Sequence, residues 1–230
     1  MYEAIILAGG LGTRLRSVVS EVPKVMAPVA GKPFLHYIIN KLIDENVTRI
    51  ILAVGYKYEI IEAFINEQQY DVEIIFSIEH EPLGTGGGIK LALDRAISNH
   101  VFIINGDSFF DCQLKELMQQ HLEQEANISL ALKYMQNFDR YGTVTIDGSR
   151  ITKFNEKEYR ESGLINAGVY VIQKNILKDL NLPEKFSLEK DVFEAHTSDL
   201  KIMGFLFGAY FIDIGIPEDY EKAQRDFNGS

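Results

Sequence analysis

Apolar positions follow two textures along this chain, and the change falls near residue 127. Before it, nearly unbroken apolar runs at 3–8 (EAIILA), 49–55 (RIILAVG), 72–78 (VEIIFSI) and 100–107 (HVFIINGD) predict strands buried on both faces. The segments between them, 33–46, 58–68 and 87–97, carry apolar residues at helical spacing, and Pro33 suits a first helical turn. Strand and helix alternate over short connections, which predicts a parallel sheet with helices on both faces. Beyond 127, strands are expected at 128–135, 142–147, 150–156 and 165–173, with turn residues such as the Asp-Gly-Ser of 147–149 between them. Short helices are expected around 174–180 and 187–195, further strands at 201–207 and 209–215, and a closing helix at 217–227 led by Pro217. No element is assigned to 109–126. Neither a low-complexity linker nor an internal repeat divides the chain. Residues 127–230 therefore read as an elaboration of the sheet begun in 1–126, within one α/β domain.

Composition narrows the class. Of 230 residues, 46% are hydrophobic and 24% charged, which is enough apolar material for a real core. No apolar run approaches the ~18 residues of a membrane span, and no basic stretch precedes the first apolar run as in a secretory signal. The single cysteine, Cys112, reads as a structural thiol and fits a reducing cytoplasm. A formal net charge of -10 argues against nucleic acid as a partner. An acidic protein that binds anions must use a local cationic cluster or a metal.

Candidate chemistry gathers at the ends of the expected parallel strands, where ligands of such sheets bind. Four loops lie there, at 9–14, 55–57, 79–86 and 105–108. The glycines of IILAGGLGTRL (5–15) do not form a dinucleotide fingerprint, because Leu15 stands where the third glycine belongs and the second strand ends in Val54 and Gly55. A Walker loop fails too, since Pro33 follows Gly31 and Lys32. What remains is Gly9, Gly10, Gly12, Thr13 and Arg14, then Pro23 and Lys24. Backbone N–H groups in such a loop can turn toward an anion, and two cations ten residues apart can clamp it. A tight turn beside a surface arginine and lysine accounts for the same residues. His36 and His80 lack metal-ligand spacing and read as packing or capping groups.

The pattern GG-x-G-T-R-L…PK resembles that of the sugar-phosphate nucleotidyltransferases. The likeness continues through EPLGTGGGI (81–89), NGD (105–107), RYGTV (140–144), FNEK (154–157), NAGVYV (166–171) and DIGIPEDY (213–220), and so covers nearly the whole chain. Val25 departs from the proline common after the lysine, and the hexapeptide repeats of a C-terminal β-helix are missing. The resemblance implies a Rossmann-like, mixed and mainly parallel sheet with a nucleotide-binding half (1–126) and a sugar-phosphate-binding half (127–230). It implies transfer of a nucleotidyl group from a nucleoside triphosphate to a sugar 1-phosphate, with pyrophosphate leaving. The stretches 3–35 and 51–64 favour GTP and a heptose 1-phosphate of the manno configuration. Mannose 1-phosphate with GTP, and glucose 1-phosphate with dTTP or UTP, are the alternatives.

Roles follow by the same resemblance. Leu7, Ala8, Gly9, Gly10, Gly12, Thr13, Asn105 and Gly106 would contact the nucleotide, and Glu79, Gly84 and Thr85 would frame the base. Arg14 and Lys24 would neutralise phosphate charge. Asp107 and Asp213 would hold Mg²⁺, although taken singly they read as a turn residue and a cap. Gly142, Glu156, Lys157 and Asn166 would meet the sugar phosphate, although strand-edge polar residues would look the same. A metal-dependent glycosyltransferase would want an Asp-x-Asp pair, and Asp107 and Asp111 are too far apart for one. A nucleotide sensor without turnover would have no need of intact Arg14, Lys24, Asp107 and Asp213. Apolar surface beyond the closing helix makes a homodimer an expectation.

Overall fold

A computed structural model of the chain describes residues 1–10 and 22–228. The first half runs β1 (Tyr2–Leu7), a short hairpin of β2 (Pro28–Val29) and β3 (Lys32–Pro33), α1 (Phe34–Asp44), β4 (Val47–Val54), α2 (Tyr58–Glu67), β5 (Glu73–Ile78), α3 (Gly84–Leu93), β6 (His100–Asn105), β7 (Ser108–Phe110) and α4 (Leu114–Glu123). The second half adds β8 (Ile128–Phe138), β9 (Thr143–Asp147), β10 (Arg150–Asn155), β11 (Arg160–Gln173), α5 (Ile176–Asp179), a π-helical segment Leu188–Glu194, β12 (Ile202–Leu206), β13 (Phe211–Asp213) and α6 (Pro217–Asp226).

Nine strands form one sheet in the order β5-β4-β1-β6-β11-β8-β12-β10-β9. Its first four are parallel to one another, and β11 then runs antiparallel to both β6 and β8. The sheet is mixed, with helices on both faces, and the second half extends it as the pattern predicts. Alternation along the strands divides the apolar residues between two cores. In β1, Ala4 and Ile6 join the core beneath α1, α4 and α6, while Ile5 joins the one beneath α3 and the π-helical segment. Each core residue is thus specified by the parity of its position.

The differences from the sequence expectation have local causes. The structure places α4 in the interval left unassigned. Leu114, Leu117, Met118 and His121 face the core at i, i+3, i+4 and i+7, but Lys115, two Gln, two Glu and an exposed Leu122 fill the rest and dilute the signal. The third helix begins at Gly84, three residues before the expected start, and the glycines at 84 and 86 let Phe186 approach this first turn, where a Cβ on either would lie 2.5 Å or less from it. The strand expected at 209–215 shrinks to β13 and leaves the large sheet. It pairs antiparallel with β7, with Asp213 opposite Ser108. That two-stranded ribbon positions the site. Among the described residues no helix is long and apolar enough to cross a membrane.

Candidate active site

A cavity of about 950 Å³ opens at the carboxyl ends of β1, β5 and β6 and is closed on its far side by residues of the second half. That size suits a bound small molecule. Every expected site residue within the described part lines it. Leu7, Ala8, Gly9 and Gly10 come from the end of β1, and Glu79, Gly84 and Thr85 from the loop before α3 and its first turn. Asn105, Gly106 and Asp107 follow β6, while Gly142, Glu156, Lys157, Asn166 and Asp213 enter from the second half. Gly12, Thr13 and Arg14 lie outside the described residues. The expected loop at 55–57 is a correction, since it supplies none of the lining residues and β4 contributes Ala53 and Val54 instead.

Lys24 occupies the centre. A 3-10 turn, Lys24–Met26, follows Pro23 and buries Val25 and Met26, while Lys24 lines the cavity. Its Nζ donates to Asp107 Oδ2 at 2.8 Å and lies 3.7 Å from Asp213 Oδ1. The β7–β13 ribbon is what brings those carboxylates together, and Ile214 N–H donates to the Asp107 carbonyl beside it. Burial raises the Asp213 pKa, and the neighbouring Asp107 charge raises it further. Lys24, the Gly215 N–H on Oδ1 at 2.7 Å, and Arg140 pull the other way. Two carboxylates from distant segments thus share one cation.

Glu79 stands at the opposite end of the cavity. Burial raises its pKa, against a weak hydrogen bond that Oε2 accepts from Leu83 N–H. Glycines surround the carboxylate. A Cβ on Gly9 would lie 2.8 Å from Oε1, and one on Gly55 would lie 2.7 Å away. Gly9 therefore serves two neighbours, the cavity and the glutamate. Gly55, which the sequence placed in the site, acts by leaving room for Glu79.

Residues 3–229 match the nucleotidyl transferase family over nearly the whole chain. The chain belongs to that family. It is 50% identical over 224 residues to a D-glycero-alpha-D-manno-heptose 1-phosphate guanylyltransferase of Aneurinibacillus thermoaerophilus, covering 97% of each chain. A protein of the same description from Campylobacter jejuni is 47% identical over 219 residues, covering 95% of this chain and 96% of that one. The crystal structure of HddC from Yersinia pseudotuberculosis complexed with GMP-PN superimposes with a TM-score of 0.89 at 39% identity, covering 99% of this chain and all of the other.

Within this nucleotidyl transferase several side chains are already engaged. The Thr85 hydroxyl donates to Glu189 Oε2 at 2.9 Å and accepts from Leu188 N–H at 3.0 Å. Phe186 N–H donates to the Leu83 carbonyl, and Gly86 N–H to the Phe186 carbonyl. The start of α3 is therefore stitched to the second half. Asn166 Oδ1 accepts from Gly168 N–H at 3.0 Å and its Nδ2 donates to the Tyr170 hydroxyl at 3.0 Å, at the irregularity in the β11–β8 register. Part of its hydrogen-bonding capacity is spent on that turn. Glu156 and Lys157 make no side-chain hydrogen bond or ion pair among the described residues.

The sequence reading missed other lining residues of this family member. Ser77, Tyr141, Ser187, Glu189, Lys190 and Glu194 all line the cavity. Tyr141 belongs to a stretch already singled out, and its ring packs against Phe138 and Phe211. Burial and the Asp213 charge raise its pKa. An ion pair from Arg140 to Asp219 ties the RYGTV stretch to the DIGIPEDY stretch. The residues from 187 onward carry no local signature, because they reach the cavity only through the docking of the π-helical segment on α3.

The donor set at Asp107 and Asp213 fits a hard divalent cation. No group of three or more His, Cys, Asp or Glu gathers among the described residues, but Mg²⁺ needs only one or two carboxylates when substrate phosphates complete its shell. Lys24 supplies positive charge to both of these carboxylates.

Proposed function

We propose that this protein transfers the guanylyl group of GTP to D-glycero-α-D-manno-heptose 1-phosphate, giving GDP-heptose and pyrophosphate. The single observation that carries this reading is its 50% identity, across 97% of both chains, to a guanylyltransferase of that description. The cavity supports it, because nucleotide-side and acceptor-side residues of the two halves, 1–126 and 127–230, face the same space.

The chemistry requires an acceptor phosphate oxygen to attack the α-phosphorus while pyrophosphate leaves in line. No protein nucleophile is needed, so positioning and charge carry the rate. Glu79 accepts hydrogen bonds from the donor edge of guanine. Backbone N–H groups at Gly9 and Gly10 approach the phosphates, and Arg14 neutralises the leaving pyrophosphate with its planar fork. Lys24 moves its ammonium from the two carboxylates to the reacting phosphate. Glu156 takes sugar hydroxyls, Lys157 pairs with the sugar's phosphate, and Gly142 and Asn166 bound the ring. Mg²⁺ held by Asp107 and Asp213 would lower the repulsion between two anionic substrates. A free, buried Cys112, its thiol pushed up to about 12 by burial, suits a cytoplasmic enzyme that has no use for reactive sulfur.

Pyrophosphate release across four nucleoside triphosphates and several sugar 1-phosphates tests the reading. GTP with the manno-heptose 1-phosphate should give the highest kcat/KM, with mannose 1-phosphate used slowly. A preference for dTTP or UTP with glucose 1-phosphate would defeat the assignment of substrates. Absence of pyrophosphate with every pair would defeat the reaction class.

A further inference from the structure

Ser77 is a cavity-lining residue with nothing to do. It is the penultimate residue of β5, only 2% exposed, and its Oγ is buried without a hydrogen-bond partner among the described residues. Three other buried side-chain atoms among the described residues make no hydrogen bond, Arg49 Nε, Gln120 Oε1 and Arg160 Nε, and the first of them is ion-paired with Glu73. None of those residues lines the cavity, and each has another side-chain atom that is bonded. Among the described residues Ser77 alone leaves its side-chain hydroxyl without any partner at the edge of a ligand site. A buried hydroxyl in that condition is a standing cost, recovered when a ligand supplies the partner.

Its place in the strand says which part of the ligand it would meet. Residues two apart on an extended chain share a face, roughly 7 Å from each other. Ser77 therefore stands beside Glu79, on the face of the sheet covered by α3, with Gly88 and Leu91 of that helix completing the wall. A carboxylate only accepts, so Glu79 matches the N1–H of guanine and one hydrogen of its 2-amino group. The second amino hydrogen is then the one donor on that edge left without a partner. A serine oxygen can accept it.

We propose that Ser77 reads the 2-amino group of guanine, as the second polar contact to the base after Glu79. The inference rests on the reading of the 79–85 loop as the guanine side of the cavity. Adenine, cytosine, uracil and thymine carry no 2-amino group, so the contact would favour GTP over every other common triphosphate.

Inosine triphosphate isolates the contact, because it differs from GTP only in lacking that amino group. The wild-type protein should use GTP at least about tenfold better than inosine triphosphate, the scale of a lost hydrogen-bond partner in a polar site. Ser77→Ala should lower kcat/KM for GTP several-fold, leave that for inosine triphosphate within about twofold, and leave the melting temperature unchanged or higher. An equal loss on both nucleotides, no loss on either, or a clear fall in melting temperature would overturn the assignment. If the wild type prefers GTP to the other natural triphosphates while Ser77→Ala keeps the full preference over inosine triphosphate, only the Ser77 contact fails. If the wild type shows no preference for GTP, the guanine reading fails and takes the contact with it.

Discussion

At the scale of single residues, the site is a balance of like and unlike charge on Lys24. Its ammonium attracts Asp107 and Asp213, while the two carboxylates repel each other and raise the Asp213 pKa. Asp107→Asn removes one attraction and one repulsion together, and Asp107 is 42% exposed, so thermal stability should change little. Turnover should fall by roughly two orders of magnitude or more, because half of the proposed metal ligation goes with the charge. Chelation of the wild type should abolish activity, and added Mg²⁺ should restore it. Pyrophosphate release and a melting curve on the same preparations check both halves of the prediction. Full activity in chelator would return Asp107 and Asp213 to the role of lysine partners.

At the scale of elements, the brace between α3 and the π-helical segment sets where the base-side loop sits. Glu189 Oε2 accepts from both Thr85 and Ser187, at 2.9 and 3.0 Å. Glu189→Ala should leave the Thr85 hydroxyl without its acceptor and loosen the first turn of α3. A several-fold rise in KM for GTP is expected, with a smaller effect on kcat, while Glu189→Gln should recover most of the loss by keeping an acceptor oxygen. Steady-state kinetics in both substrates separates this from general destabilisation, which would lower active enzyme without moving KM. The same brace marks the limit of what could be read in advance. Strands β1, β4, β5 and β6 were legible because each is a continuous apolar run, and the loops at their ends were legible because parallel sheets bind ligands there. Asp107 was legible as part of the 105–108 loop, but its meeting with Asp213 only through the resemblance, since neither spacing nor pattern announces that β13 leaves the sheet to pair with β7. The segment 187–194 enters the cavity through packing between distant parts of the chain. Nothing local in Ser187, Glu189 or Lys190 reports that.

At the scale of the whole molecule, acid should act through a buried histidine far from the substrates. His121 of α4 is fully buried, with Nε2 at 2.9 Å from His100 Nδ1 on β6 and Nδ1 at 2.8 Å from Ser129 Oγ on β8. Burial, helped by His100, lowers its pKa from 6.5 to about 4. The unfolded chain therefore takes up this proton first as pH falls. Stability should be complete above pH 6.5 and decline toward pH 4, by on the order of 3 kcal/mol if no other group intervenes. The His100 pKa is lowered as well and acts in the same direction. Denaturant midpoints measured from pH 7.5 to 5 should fall in the wild type and fall less steeply in His121→Asn. Equal slopes in the two proteins would remove the pair from the acid response.

The ribbon of β7 and β13 also orders events in time. A chain emerges from the ribosome N-terminus first, at about 5–20 residues per second, and domains condense as their parts become available. The four parallel strands and α4 lie within residues 1–123, so a nascent chain of that length already carries Lys24, Glu79 and Asp107. It holds one carboxylate at the centre and has nothing to set a second beside it. Asp213 arrives on β13, whose pairing with β7 sets the second carboxylate beside the first. The second carboxylate is thereby deferred until β13 has been made, and a translation product interrupted before it lacks half of the central pair.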